Sequence, residues 1–253
     1  MNYHFEDFTE DNYKRLCDIA QRQYSFIDYE TLLDGKPREK SIIWRHDIDF
    51  SPHRALRTAL IESQMGIKSI YFILFSGYFY NPMEWEIVNI IQRIIELGHE
   101  VGIHLDCEAY SATPTKENIE EDLEFYKNVF YKIYGGVIPK SFSFHNPSSE
   151  CINRNGDERY AGLFNAYCSR VMKDVGYCSD SNGYWRFERL EDFLNKNDMK
   201  YACVLTHPGW WVEKSMSPWE RIQRSIDGRA EASRRRYLKA LDGGNRTNVR
   251  GND

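Results

Sequence analysis

Seven histidines are spread through 253 residues, and their positions are patterned. His104, His145 and His207 each stand at the end of a short apolar run with strand character. A fourth, His46, sits in Arg45-His46-Asp47-Ile48-Asp49, just beyond another such run. Imidazole and carboxylate together suit Zn, Fe, Ni or Co, and a set of two histidines and one carboxylate leaves positions open for water and substrate. An open site of this kind acidifies water and polarises a carbonyl oxygen. Asp47 and Asp49 are close enough in sequence to divide the work, one holding the metal and the other accepting a proton. Asp49 alone would equally suit an Asx turn or a helix N-cap ahead of Pro52.

Bringing these groups together requires strands whose C-terminal ends share a face. Residues 41–44, 69–75, 100–104, 141–144, 177–179 and 201–205 read as buried strands. Between them, residues 52–65 carry Leu56, Ala59 and Leu60 at helical spacing and stop at Gly66. Residues 82–97 do the same with Trp85, Val88, Ile91, Ile94 and Ile95 and close at Gly98. Residues 116–134 open with acidic side chains, as the helix dipole favours, and end at Gly135-Gly136. Strands alternating with helices predict parallel βα units. In a parallel barrel every strand C-terminus lies on one face, and active sites are built there. The length predicts a single domain, a catalytic barrel over residues 1–240 with a loose polar tail over 241–253. Residues 1–38 read as a helical and turn lead-in with no assignable chemistry.

The formal charge of −5 leaves no evident basic face, so nucleic acid is not an expected partner. The longest apolar runs, such as residues 70–75, are too short to span a bilayer. The polar, acidic N-terminus is no signal peptide, which predicts a cytoplasmic protein. Six scattered cysteines without a C-x-x-C read as reduced thiols, mostly buried. His99 begins its strand and reads as structural; His53, on the helix after Pro52, reads as solvent-facing.

The segment Trp44-Arg45-His46-Asp47-Ile48-Asp49, followed by Gly98-His99-Glu100-Val101-Gly102-Ile103-His104, resembles the first two motifs of the polysaccharide deacetylase (NodB-like, carbohydrate esterase family 4) superfamily. Ser143-Phe144-His145-Asn146-Pro147, the stretch from Ser179 to Arg186, and Leu205-Thr206-His207-Pro208 fall where the third, fourth and fifth motifs would, so the resemblance spans roughly residues 40–210. It implies a distorted (β/α) barrel holding a divalent metal, zinc first, with iron, cobalt, nickel or manganese as alternatives. It further implies a hydrolase that removes an N-acetyl or O-acetyl group from a sugar or polysaccharide precursor. By position Asp47 would be the general base, Asp49 the metal-binding carboxylate, His104 a ligand and His207 the general acid. Asp180 and Arg186 would tune or orient the catalytic pair.

Departures from the family pattern matter as much. Ile48 separates aspartates that are usually adjacent, and Phe50 follows where glycine is usual. The second histidine expected four residues after His104 is Glu108, and the third motif lacks its usual arginine. The third ligand is therefore His145, Glu108 or Asp106, with His145 favoured because it ends a strand. Trp185, Trp210, Trp211 and Asn146 are the candidates for holding substrate; the two adjacent tryptophans read equally as loop packing. A cytoplasmic enzyme of this kind would meet a nucleotide- or lipid-linked sugar rather than finished polymer. An amidohydrolase acting on a non-acetyl amide, an iron-dependent oxygenase and a non-catalytic carbohydrate-binding relative stay open as alternatives.

Overall fold

The computed structural model describes residues 3–35, 37, 40–185 and 187–249. In chain order the elements are α1 (Glu10–Gln23), β1 (Ser25–Phe26), α2 (Tyr29–Leu33), β2 (Ser41–Ile48), α3 (Pro52–Gln64), β3 (Ile70–Leu74), α4 (Trp85–Glu96), β4 (Glu100–Asp106) and α5 (Lys116–Ile133). They continue with β5 (Ser141–His145), α6 (Ser149–Arg154), β6 (Arg159–Tyr160), β7 (Leu163–Asn165), α7 (Ser169–Asp174), β8 (Gly176–Ser179), α8 (Leu190–Lys196), β9 (Tyr201–Thr206) and α9 (Pro218–Gly243). Among the described residues the strands form one sheet in the order β6-β7-β5-β4-β3-β2-β9-β8, with β1 added on β2. Every pairing is parallel except β6 with β7. The sheet curls into the distorted (β/α) barrel that the alternating pattern predicts, with helices outside.

The strand β2 runs four residues past the apolar stretch 41–44, and all eight of its side chains are buried. Arg45, His46 and Asp47 would end a strand if they had to face water; here each finds a buried partner, so the strand continues. Alternation sends successive side chains to opposite faces. Trp44 and His46 point out towards α1 and α3, while Ile43 and Arg45 point in, with the Arg45 guanidinium 5.4 Å from the Phe72 ring. The lead-in before residue 38 has a structural role. Tyr29, Leu32 and Leu33 of α2 pack with Ile43, Phe72 and Cys203, and α1 covers Trp44 with Tyr13 and Leu16. On α4, Ile87, Val88, Ile91 and Ile94 are buried as the helical spacing requires; each such side chain contributes about 1.5–3 kcal/mol.

Behind β2 lies a buried polar network. His46 Nε2 is 2.6 Å from Glu62 Oε1 and its Nδ1 is 2.6 Å from Thr206 Oγ1. Tyr71 donates to Glu62 Oε2 at 2.7 Å, and Tyr13 also donates to Glu62. Burial alone would raise the Glu62 pKa; the His46 charge and these hydrogen bonds outweigh it and hold the carboxyl below its ordinary value. Removing one partner of a buried pair strands the other, so Glu62→Ala should cost about 3–5 kcal/mol in urea unfolding at neutral pH. A carboxyl held low stabilises the fold above its unfolded pKa and loses that contribution as pH falls. The wild-type advantage over the variant should therefore shrink on acidification; a variant as stable as wild type would show the network to be unimportant.

The helix α9 has no counterpart among the elements expected from sequence. Ser217 and Glu220 form a capping box and Pro218 opens the first turn, but only Arg221 and Leu241 are buried, so no apolar stripe announces it. It runs past residue 240 into the stretch expected to be loose. No helix among the described residues is long and apolar enough to cross a membrane. All six cysteines are free thiols, five of them buried and Cys107 half-buried.

Candidate active site

Asp49 follows β2, His104 lies in β4, His145 ends β5, Asp180 follows β8 and His207 follows β9. Because these strands are parallel, all five groups sit at one edge of the sheet. His104 Nε2 lies 3.2 Å from Asp49 Oδ1. His145 Nδ1 lies 3.4 Å from the same oxygen and 3.2 Å from His104 Nε2. Asp49 Oδ1 is buried and has no aligned hydrogen-bond donor. Two ring nitrogens and an orphaned carboxylate oxygen thus converge within 4.8 Å. Bonds of about 2.0–2.1 Å to a tetrahedral ion imply ligand edges of about 3.3 Å, and the three observed separations match. The donor set fits a divalent cation.

The other two candidates for the third ligand do not reach this point. Asp106 accepts from Ser76 Oγ at 2.8 Å and from the Glu108 N–H at 2.9 Å. Glu108 is exposed and accepts from Asn146 Nδ2 at 3.2 Å. His104 is oriented from behind, its Nδ1 lying 2.8 Å from Ser143 Oγ, the residue opposite it on β5. Outer partners of metal-binding imidazoles typically carry about 10- to 100-fold in affinity. Ser143→Ala should weaken metal retention by that factor in chelator competition; unchanged affinity would remove Ser143 from the site.

Asp47 is 2% exposed. Its Oδ2 accepts from Arg45 Nη2 at 3.0 Å and from Ser143 Oγ at 3.4 Å, and lies 3.6 Å from His104 Nε2. Its Oδ1 is buried without a partner. Arg45, two residues back on the same face of β2, is pinned by the Tyr167 hydroxyl at 3.1 Å and by the Phe72 and Tyr167 rings. A cation on the strand before Asp47 thus stands beside its carboxylate.

Across the site, His207 Nδ1 is 2.6 Å from Asp180 Oδ1, and both Asp180 oxygens also accept from the His207 N–H. His207 Nε2 faces Asp49 Oδ2 at 3.6 Å. Burial disfavours the imidazolium, but the Asp49 and Asp180 charges outweigh it and push the His207 pKa up to about 9. Burial would likewise raise the Asp49 pKa; the charge of His207 and the two flanking imidazoles hold it well below the carboxylate range.

The tryptophans need correction as sugar platforms. Trp211 is fully buried and donates its indole N–H to Asp180 Oδ2 at 3.1 Å, so it fixes the partner of His207 and cannot stack on a sugar. Trp210 is 9% exposed, its ring 4.5 Å from Phe50. Trp185 stacks on Phe8 and donates to Asp7, which ties it to the packing beneath the rim. Asn146, in a left-handed conformation, lies beside His145 with its Nδ2 3.1 Å from Nε2. Arg186 lies outside the described residues. His99 is buried between the Ser69 N–H and the Ala59 carbonyl, His53 is exposed against Glu86, and His46 faces away from the site. Arg45, Ser143 and Tyr167 were not singled out as site residues from sequence; only the alternation of β2 places Arg45 on the face of Asp47.

No protein-family model and no curated protein matches this sequence. Among solved structures, a carbohydrate esterase family 4 (CE4) esterase from Streptococcus mutans matches with a TM-score of 0.51 at 12% identity, over 90% of this chain and 92% of that one. A family 4 acetyl xylan esterase from Clostridium thermocellum, solved with a cobalt ion, matches with a TM-score of 0.44 at 15% identity, over 81% and 92%. A chitin deacetylase from Colletotrichum lindemuthianum gives 0.41 at 13%, over 74% and 81%. The first of these carries the comparison, and at such identity it speaks for the fold alone. This chain shares the fold of that esterase at 12% sequence identity.

Proposed function

We propose that this protein is a metal-dependent hydrolase of the polysaccharide-deacetylase type, removing an acetyl group from an acetamido sugar or sugar precursor. The observation that carries this reading is the convergence of Asp49, His104 and His145 within 4.8 Å, flanked by two charge-paired groups. On one side stands Asp47 with Arg45, on the other His207 with Asp180. Asp49, His104 and His145 would hold the ion, and two imidazoles with one carboxylate favour zinc, with iron, cobalt, nickel or manganese as alternatives. A divalent ion held there supplies Lewis acidity towards a carbonyl oxygen and towards water.

The chain's own groups move the protons. Arg45 and Ser143 donate to Asp47 Oδ2 and hold the carboxylate beside the cluster, 3.6 Å from His104 Nε2, where it would take a proton from the attacking water. As the water oxygen bonds to the carbonyl carbon and the C–N bond breaks, the departing nitrogen needs a proton. His207 Nε2 would supply it, because the Asp180 carboxylate against Nδ1 at 2.6 Å favours the protonated ring. The Asp180 carboxylate takes up the His207 Nδ1 and accepts from the His207 backbone N–H, so donation comes from Nε2. The products are acetate and a free amine. Asp180 and Arg45 are positioning residues: each acts through the group it holds.

The test is acetate release across a panel of acetamido sugars and O-acetylated sugars, with and without chelator. Release that chelation abolishes and added zinc or cobalt restores supports the proposal. Release indifferent to chelation, or none from any acetylated sugar, contradicts it.

A further inference from the structure

A second concave region adjoins this edge of the sheet. A cavity of ≈290 Å³ lies between the N-terminus of α3, the loop after His207 and one face of α9. Its wall carries five arginines, Arg54, Arg221, Arg224, Arg229 and Arg235, against a single carboxylate, Glu86. Four of the five come from α9, where residues 221, 224, 228, 232 and 235 recur at helical spacing on one face. The residues between these arginines on that wall, Ser225, Gly228 and Ala232, are small, which leaves the space open.

Two of the arginines are already neutralised. Arg54 pairs with Glu10 at 2.7 Å and Arg229 pairs with Glu84 at 2.5 Å. Glu86 is engaged by His53 at 2.8 Å and by Arg236. Arg224 and Arg235 are exposed and have no ion pair among the described residues. Arg221 is the most informative. It is 2% exposed, its Nη1 and Nη2 donate to the Gly183 and Phe5 carbonyls at 3.1 Å, and its Nε is buried with no partner. The Phe8 ring lies 5.0 Å from its guanidinium carbon and the Asp180 and Glu220 charges favour it, but the one unmet buried donor is costly until an acceptor joins it.

The helix end adds a donor to this charge. Pro52 occupies the first turn of α3, and the Ser51 side chain makes no capping hydrogen bond. Ser51, Pro52, His53 and Arg54 all line the cavity, so the positive end of a 13-residue helix borders it. Pro52 has no N–H and the Arg54 N–H donates to the Ser51 carbonyl at 3.0 Å, so the His53 N–H is the donor this end offers; beside arginine forks it suits a phosphate oxygen.

We propose that this cavity binds a phosphate or diphosphate group. Resting on the hydrolase reading above, the group is the phosphate portion of the sugar substrate. The wall begins with Phe50, the residue after Asp49, and includes Gly209, two residues after His207. An acetamido sugar linked to phosphate is thereby the substrate class that spans both places.

The experiment uses the full chain as purified and pyrophosphate as the probe, by titration calorimetry. Wild type is expected to bind, with affinity falling about 10- to 100-fold in Arg224→Glu/Arg235→Glu. Gly228→Glu should weaken it similarly, since a side chain there meets nothing within 4 Å and adds an opposing charge. None of these residues belongs to the metal cluster, so pyrophosphate held at a metal ion would bind the variants and wild type alike. Equal affinities, or no binding to wild type, would overturn the site; this arm needs no turnover and stands apart from the hydrolase reading. In the second arm, pyrophosphate should raise KM for a nucleoside-diphosphate-linked acetamido sugar, and the variants should raise it too with kcat kept. Binding without competition would mean that the cavity takes free phosphate as an effector, which overturns the substrate assignment.

Discussion

His207→Ala is expected to lower kcat by about 100- to 10,000-fold, the usual contribution of one proton-transfer group, while metal content stays at the wild-type level. Metal content separates the two roles that His207 has on geometry alone. Its Nε2 is 3.6 Å from Asp49, yet His104 and His145 already crowd the other oxygen of that carboxylate. Loss of the ion along with activity would make His207 a ligand and would remove the proton donor from the scheme. The partner variant Asp180→Asn has a directional signature. Asp180 raises the His207 pKa, and a general acid loses its proton as pH rises through that pKa. Weakening the pair lowers the pKa, so the alkaline limb of kcat should move to lower pH. A limb that stays in place while kcat falls would assign Asp180 a purely structural part.

Asp49→Ala should remove the ion and the activity together, a larger effect than any change in the outer partners. Among the described residues its Oδ1 is the carboxylate oxygen of the cluster, and two imidazole nitrogens 3.2 Å apart cannot replace it. Asp47→Asn offers the contrast. It keeps the shape beside Arg45 and removes the proton acceptor, so kcat should fall by about 100- to 10,000-fold with the ion retained. If Asp47→Asn lost the ion and Asp49→Ala kept it, the two aspartates would have exchanged roles.

Much of this was legible in the sequence because the barrel pattern is local. The apolar runs ending in His104, His145 and His207 became β4, β5 and β9 with small changes at their ends. Gly66 and Gly98, which end α3 and α4, have the positive φ expected of helix terminators. What escaped depends on tertiary partners. The strand β2 outlasts its apolar stretch because His46 meets Glu62 and Arg45 meets Asp47, contacts that no window of sequence contains. The helix α9 carries arginines where an amphipathic helix would carry leucines. Trp211 is adjacent to Trp210 and a few residues from His207, which suggested a sugar platform; its burial against Asp180 could not be read without the fold.

Anomalous X-ray diffraction from crystals of the purified protein, with elemental analysis of the same sample, tests the central claim most directly. One ion per chain is predicted, bonded to Asp49 Oδ1, His104 Nε2 and His145 Nδ1 at about 2.0–2.2 Å. An ion elsewhere, or a fully active protein with no ion at these three side chains, would contradict it.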